Sequence, residues 1–128
     1  MAKPIRDAGC HFGHVFCSSD GRAQATIEGI AEELSDSEIN WYTVEALCTL
    51  SAAELRTWIA SLPDWLPRVM IVAHNPALTQ LADELGSRDI GKVPTCGYVQ
   101  LWLEIESWRD LASGCGETRE FLYPKLFA

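Results

Sequence analysis

Apolar positions along this chain change their period several times, and each change marks an element. Val15 to Ser18 is a short apolar run bounded by Ser19, Asp20 and Gly21, which predicts a buried strand ending in a turn. Ile27, Ile30, Ala31 and Leu34 then recur at helical spacing, so a helix is predicted over residues 21–34, with Asp20 placed as its N-cap. Trp41 to Val44 is aromatic and β-branched and reads as a second strand. Ser51 and Glu54 form a capping-box pair ahead of Leu55, Trp58, Ile59 and Leu62, a helix that Pro63 stops. Val69 to Ala73 predicts a third strand, and Leu78, Leu81, Ala82 and Leu85 the buried stripe of a helix closed by Gly86. Asn75 suits the N-cap of that helix and Pro76 its first turn, which leaves His74 as the last residue before it begins. Tyr98 to Ile105 alternates as a long strand, and Arg119 to Tyr123 reads as a final one.

Strands alternating with helices predict an α/β fold of three layers, α/β/α, with a mostly parallel sheet covered on both faces. The 128 residues, 48% of them hydrophobic, suffice for one domain over residues 1–128. A formal charge of -8 argues against nucleic acid or an anionic membrane as partner, because phosphate-rich surfaces select an excess of Lys and Arg. Neither a signal-peptide pattern nor a run of roughly 18 apolar residues is present, and a cytoplasmic protein is expected. The five cysteines are unpaired in spacing and predict reduced, half-buried thiols. Cys10, His11, His14 and Cys17 are suitable zinc ligands by type. However, Cys10 and His11 are adjacent and Cys17 falls in a strand, unlike ordinary structural sites, so no metal and no cofactor is expected. Trp58 and Trp102 are expected in core or half-core positions, whereas Trp65 and Trp108 fall in loop-like settings.

Ligands of open α/β sheets bind at the carboxyl ends of strands, where helix N-termini present free N–H groups. Two corners here carry polar side chains at that place. One, FCSSDGRAQAT, holds Ser18, Ser19 and Arg22; the other, VAHNPALT, holds His74 and Asn75. A cation such as Arg22 in the first helical turn opposes the helix dipole, a modest cost that a bound anion removes. A guanidinium can grip two phosphate oxygens while a histidine holds a third or exchanges a proton. The structural alternatives are an ion pair of Arg22 with Asp20 or Glu45, and a His74 that satisfies a buried carbonyl.

The segment VFCSSDGRAQATIEGIAEEL resembles the stretch of the histidine phosphatase superfamily that reads strand, Ser-Ser-Pro-x-x-Arg-Ala-x-x-Thr, helix. VMIVAHNPALTQLADEL is similar to the superfamily's Val-Gly-His-Asn-Pro segment. KVPTCGYVQLWLE and REFLYPKLF resemble the closing strands of the short phosphohistidine phosphatases of the SixA type. The likeness runs from about Val15 to the end of the chain. It implies a phosphate pocket in which Arg22 and His74 contact phosphoryl oxygens, with Ser19 and Asn75 beside them. Glu45 falls at the position that acts as proton donor in some relatives. Asp20 stands where the pattern has Pro, and Ala73 where it has Gly; the charge of Asp20 would weaken the binding of a phosphate dianion.

The pattern departs most at its start. The superfamily opens on a strand ending in Arg-His-Gly, whose histidine attacks phosphorus, and no Arg-His-Gly occurs here. The resemblance therefore implies a fold without the first strand and most of the first helix, about one βα unit of roughly 40 residues. RDA in MAKPIRDAGCHFG reads as the tail of that helix. His11 and His14 precede the Val15 strand, at the end of the sheet away from the pocket, and are poorly placed to attack instead.

The expectation is a degenerate phosphatase-like domain, inactive or weakly binding phosphate, another small anion or a phosphohistidine protein. One alternative is an active phosphatase that uses a substitute histidine or a site completed by another chain. Another is a strand-exchange or dimerisation module, since removing a central strand exposes two rows of backbone donors and acceptors; a homodimer would follow.

Overall fold

Val15 and Cys17 face one side of β1 (Val15–Ser18) and Phe16 the other, and this alternation builds the layers. The computed structural model describes residues 2–7, 12, 14–34, 38–48, 51–73, 77–87 and 98–122. β1 is the centre of a parallel three-stranded sheet, flanked by β2 (Trp41–Val44) and β3 (Met70–Val72) in the order β2-β1-β3. Helix α2 (Gly21–Glu33) covers one face: its Ala23, Ile27 and Ile30, with Leu34 at the C-cap, bury against Val15, Cys17 and Val72. The other face, carrying Phe16, Val44 and Ile71, packs on α3 (Ala52–Ala60) and α4 (Ala77–Leu85) through Leu55, Ile59, Leu81 and Leu85, together with Leu47 from the turn after β2. A short helix α1 (Ala2–Asp7) precedes β1 and touches α2; it includes Arg6 and Asp7 of the RDA segment, and Ala8 lies outside the described residues.

The helix starts follow the sequence signals. Asp20 caps α2 by accepting the N–H of Arg22 at 3.0 Å, and Ser51 caps α3 by accepting that of Glu54 at 3.2 Å. The stripe of α4 is broader than expected, with Ala77 and Thr79 buried beside Leu81, Ala82 and Leu85, and Leu78 half-buried. The His74–Asn75–Pro76 corner lies outside the described residues.

The final strands pair with each other. β4 (Tyr98–Leu103) and β5 (Gly116–Leu122) form an antiparallel hairpin with a register shift between Gln100 and Leu101. The mostly parallel sheet is thus, among the described residues, a parallel sheet of three strands and a separate antiparallel pair. Leu101, Leu103 and Ile105 turn inward onto the α3–α4 core. Hydrogen bonds join the hairpin to the end of α4: the Ser87 N–H donates to Thr118 Oγ1 at 3.1 Å, the Thr118 N–H to Ser87 Oγ at 3.0 Å, and the Gly114 N–H, in the β4–β5 connection, to the Glu84 carbonyl at 2.8 Å. β5 starts three residues before the expected Arg119, because Glu117 and Thr118 mask a strand that alternates Thr118 inward with Glu117 and Arg119 outward.

Trp102 corrects an expectation. It is 57% exposed, since the alternation that buries Leu101 and Leu103 sends it to the opposite face, where the Arg119 guanidinium lies 4.2 Å from its ring centre. Trp58 is half-buried as expected, edge-on to Phe16 with ring centres 5.2 Å apart.

Candidate anion site

Parallel pairing brings the carboxyl ends of the three strands to one end of the sheet. Ser18 is level with Val44 and Cys17 with Val72, so the segments after β1, β2 and β3 leave side by side. Ser19 to Arg22 follow β1, Glu45 opens a 3-10 turn (Glu45–Leu47) after β2, and Ala73 follows β3. The two acidic and basic candidates from different strands, Arg22 and Glu45, therefore share this end, and both are exposed.

The β1–α2 corner is fixed by its own side chains. Ser18 Oγ accepts the N–H of Asp20 at 3.2 Å, and the Asp20 carboxylate accepts that of Arg22. Gln24 donates its N–H to the Asp20 carbonyl at 3.0 Å, the first helical bond of α2. Asp20 thus caps the helix as its position suggested, and it also sets a carboxylate beside any anion bound at this corner.

The main-chain N–H and C=O of Arg22 are engaged, the carbonyl by Thr26 Oγ1 at 2.9 Å. Its guanidinium has no acceptor among the described residues, so neither of the structural alternatives, a pair with Asp20 or with Glu45, is formed. Ser19 is exposed at the tip of the corner.

Gln24 is a member of this corner that sequence reasoning missed. Its side-chain amide donates to the Ser18 carbonyl at 2.9 Å and to Thr43 Oγ1 at 3.1 Å, and it accepts from Trp41 Nε1 at 3.2 Å. A polar residue one turn into an amphipathic helix looks like a solvated position; only the placement of α2 across β1 and β2 makes it a cross-link.

His14 sits at the far end of the sheet, as its place before β1 requires. Its carbonyl accepts the Met70 N–H at 2.9 Å, and its ring meets Trp65 edge-on at 5.6 Å. A strand of four residues separates it from the Arg22 corner by roughly 13 Å. Cys10 and His11 lie outside the described residues. Cys17 is fully buried and donates to the Ser18 carbonyl; burial, then the charges of Asp20 and Glu28, push its thiol up to about 11. At neutral pH the buried thiol is held protonated. Cys48 is exposed and Cys115 half-buried.

Away from this end, Arg56 of α3 pairs with Glu84 of α4, and Ser113 also donates to the Glu84 carboxylate. The pair borders an open cavity of about 350 Å³ with Ala53, Thr57 and Ala60. Its charges are matched within the fold, and it joins the two helices.

A parallel sheet between α2 and the α3–α4 pair, followed by an antiparallel hairpin, makes an α/β fold that is shared with a solved structure. A solved structure with this fold, that of a candidate phosphohistidine phosphatase SixA from Nakamurella multipartitia, matches this chain with a TM-score of 0.75. The match covers 96% of this chain and 77% of that one at 17% identity, a likeness of fold. No protein-family model and no curated protein matches. Among the described residues, no helix is long and apolar enough to cross a membrane.

Proposed function

We propose that this domain is a degenerate phosphohistidine-phosphatase-like module that binds phosphate or a related small anion and does not hydrolyse phosphate esters. The observation that carries the reading is the guanidinium of Arg22, unengaged among the described residues, in the first turn of α2 at the carboxyl end of a central strand in a phosphatase-like fold. An arginine there can hold two phosphoryl oxygens, and the helix dipole favours the negative charge. In this reading His74 and Asn75 complete the cradle from the neighbouring corner, Ser19 adds a hydroxyl, and Glu45 is a vestigial acid. Phosphoryl transfer through a covalent intermediate requires an aligned nucleophile. The chain has no Arg-His-Gly, and His14 lies at the wrong end of the sheet.

Titration with orthophosphate or vanadate tests the pocket. Arg22→Ala is expected to weaken binding about tenfold, the loss of a charge-assisted contact. Asp20→Asn should tighten it about fivefold, because it keeps a capping side chain while removing a like charge near the anion. Binding unchanged by both substitutions would remove the site. An aryl phosphate and a phosphohistidine peptide are expected to remain intact; turnover abolished by both Arg22→Ala and His74→Ala would establish an active enzyme instead.

A second reading is favoured by the divided sheet. Among the described residues, β3 pairs with β1 alone and β4 with β5 alone, so each has an edge without a ladder. Such edges invite strand addition, and in this reading the domain associates with a second copy or a partner strand. Light scattering at high protein concentration is expected to report a mass above 14.2 kDa. A monomer under those conditions would count against it.

A further inference from the structure

We propose that Gln24 is the positioning residue of the anion corner, holding the strand end that leads to Arg22 in register with the strand that leads to Glu45. The inference rests on the anion-site reading above and adds to it how the corner is held. Three bonds from one amide carry the argument. Gln24 Nε2 ties the Ser18 carbonyl, the last of β1, to Thr43 Oγ1 on β2, and Gln24 Oε1 takes the indole N–H of Trp41 on the same strand.

Both amide hydrogens are thereby used inside the protein, so Gln24 has none to give a ligand and acts through others. Ser18, which it grips, also holds the N–H of Asp20, and Asp20 holds that of Arg22. A continuous chain of hydrogen bonds thus runs from Trp41 and Thr43 through Gln24, Ser18 and Asp20 to the backbone of Arg22.

Geometry separates this role from ordinary core packing. The Gln24 amide is half-buried, Thr43 is exposed, and the apolar contacts that hold α2 on the sheet come from Ala23, Ile27 and Ile30 on its buried stripe. Removing the amide leaves that stripe intact. What it releases is a side-chain tie that supplements the ladder pairing Ser18 with Val44, at the strand ends where a guanidinium must be held to grip two oxygens at once.

The test is an orthophosphate titration of the full chain and of Arg22→Ala, Gln24→Met, Thr43→Val and the Arg22→Ala/Gln24→Met double variant. The folded fraction of each is read by far-UV circular dichroism at the same temperature. Gln24→Met is expected to weaken binding about fivefold, and Thr43→Val, which removes one of the three bonds, about twofold, each with the folded fraction unchanged. The double variant should bind no more weakly than Arg22→Ala alone, because a residue that acts by placing Arg22 has nothing left to place. Additive losses in the double variant, or affinity lost only in proportion to folded protein, overturn the proposal. So does wild-type affinity in both Gln24→Met and Thr43→Val while Arg22→Ala loses it. Should Gln24→Met fail to fold, Thr43→Val decides. Wild-type affinity in Arg22→Ala would instead bring down the anion-site reading itself, an outcome distinct from the others.

Discussion

Leu55→Ala is expected to lower the free energy of unfolding by about 3 kcal/mol and the melting temperature by roughly 10 °C. Leu55 is fully buried on α3, in the cluster where Leu47, Ile59, Leu62, Leu81 and Leu85 meet beneath the sheet. Truncation removes apolar contact and leaves a void that three elements surround: α3 itself, α4 and the 3-10 turn after β2. The walls are held from several sides, α3 capped by Ser51 and tied to α4 by the Arg56–Glu84 pair, so the void is not expected to collapse. Urea unfolding checks this: the midpoint should fall while its slope stays constant. A loss below about 1 kcal/mol would mean that the cluster repacks around the void.

Gly86→Ala is the second large effect, a destabilisation of about 2 kcal/mol from a single methyl group. A Cβ at Gly86 would come within 2.3 Å of Thr118 Oγ1 and 2.8 Å of the Ala82 carbonyl oxygen. The Thr118 hydroxyl cannot turn aside without releasing the Ser87 N–H, and the carbonyl belongs to the last turn of α4. Gly29 supplies the control. It lies within α2, nothing stands within 4 Å of its Cβ position, and Gly29→Ala is expected to stabilise by about 0.5–1 kcal/mol through helix propensity. Opposite signs from the same substitution in paired melts would confirm that crowding, and not the loss of glycine, sets the first result.

Patterns that act locally were legible in the sequence. The stripe of Ile27, Ile30 and Leu34, the Asp20 and Ser51 caps, and the run from Val15 to Ser18 all reappear because each depends on neighbours a few residues away. The placement of Arg22 in the first turn of α2, and of Glu45 just after β2, followed from those elements. The resemblance to the histidine phosphatases carried the fold class further than periodicity alone could.

What escaped depends on partners far along the chain. Nothing in the sequence near Trp102 tells which face of β4 is covered; Leu101 and Leu103 decided it by meeting the α3–α4 core. The early start of β5 was hidden because Glu117 and Arg119 belong to an outer face that water accepts. Gln24 became part of the candidate site through Thr43, nineteen residues later, and Trp41. Tertiary cross-links of this kind carry no periodicity of their own.

The separation of the two ladders has a consequence for how the protein breathes. Amides of β1 and β3 are shielded by partners such as Val15 and Met70, fifty-five residues apart, whereas those of β4 and β5 close on one another across a single hairpin. Deuterium uptake under native conditions should therefore divide into two cooperative units, with the hairpin exchanging through an opening that leaves the parallel strands protected. The Ser87–Thr118 latch, at the end of α4, bonds one unit to the other, and Thr118→Val is expected to lower the protection of the hairpin amides while leaving that of β1 and β3 unchanged.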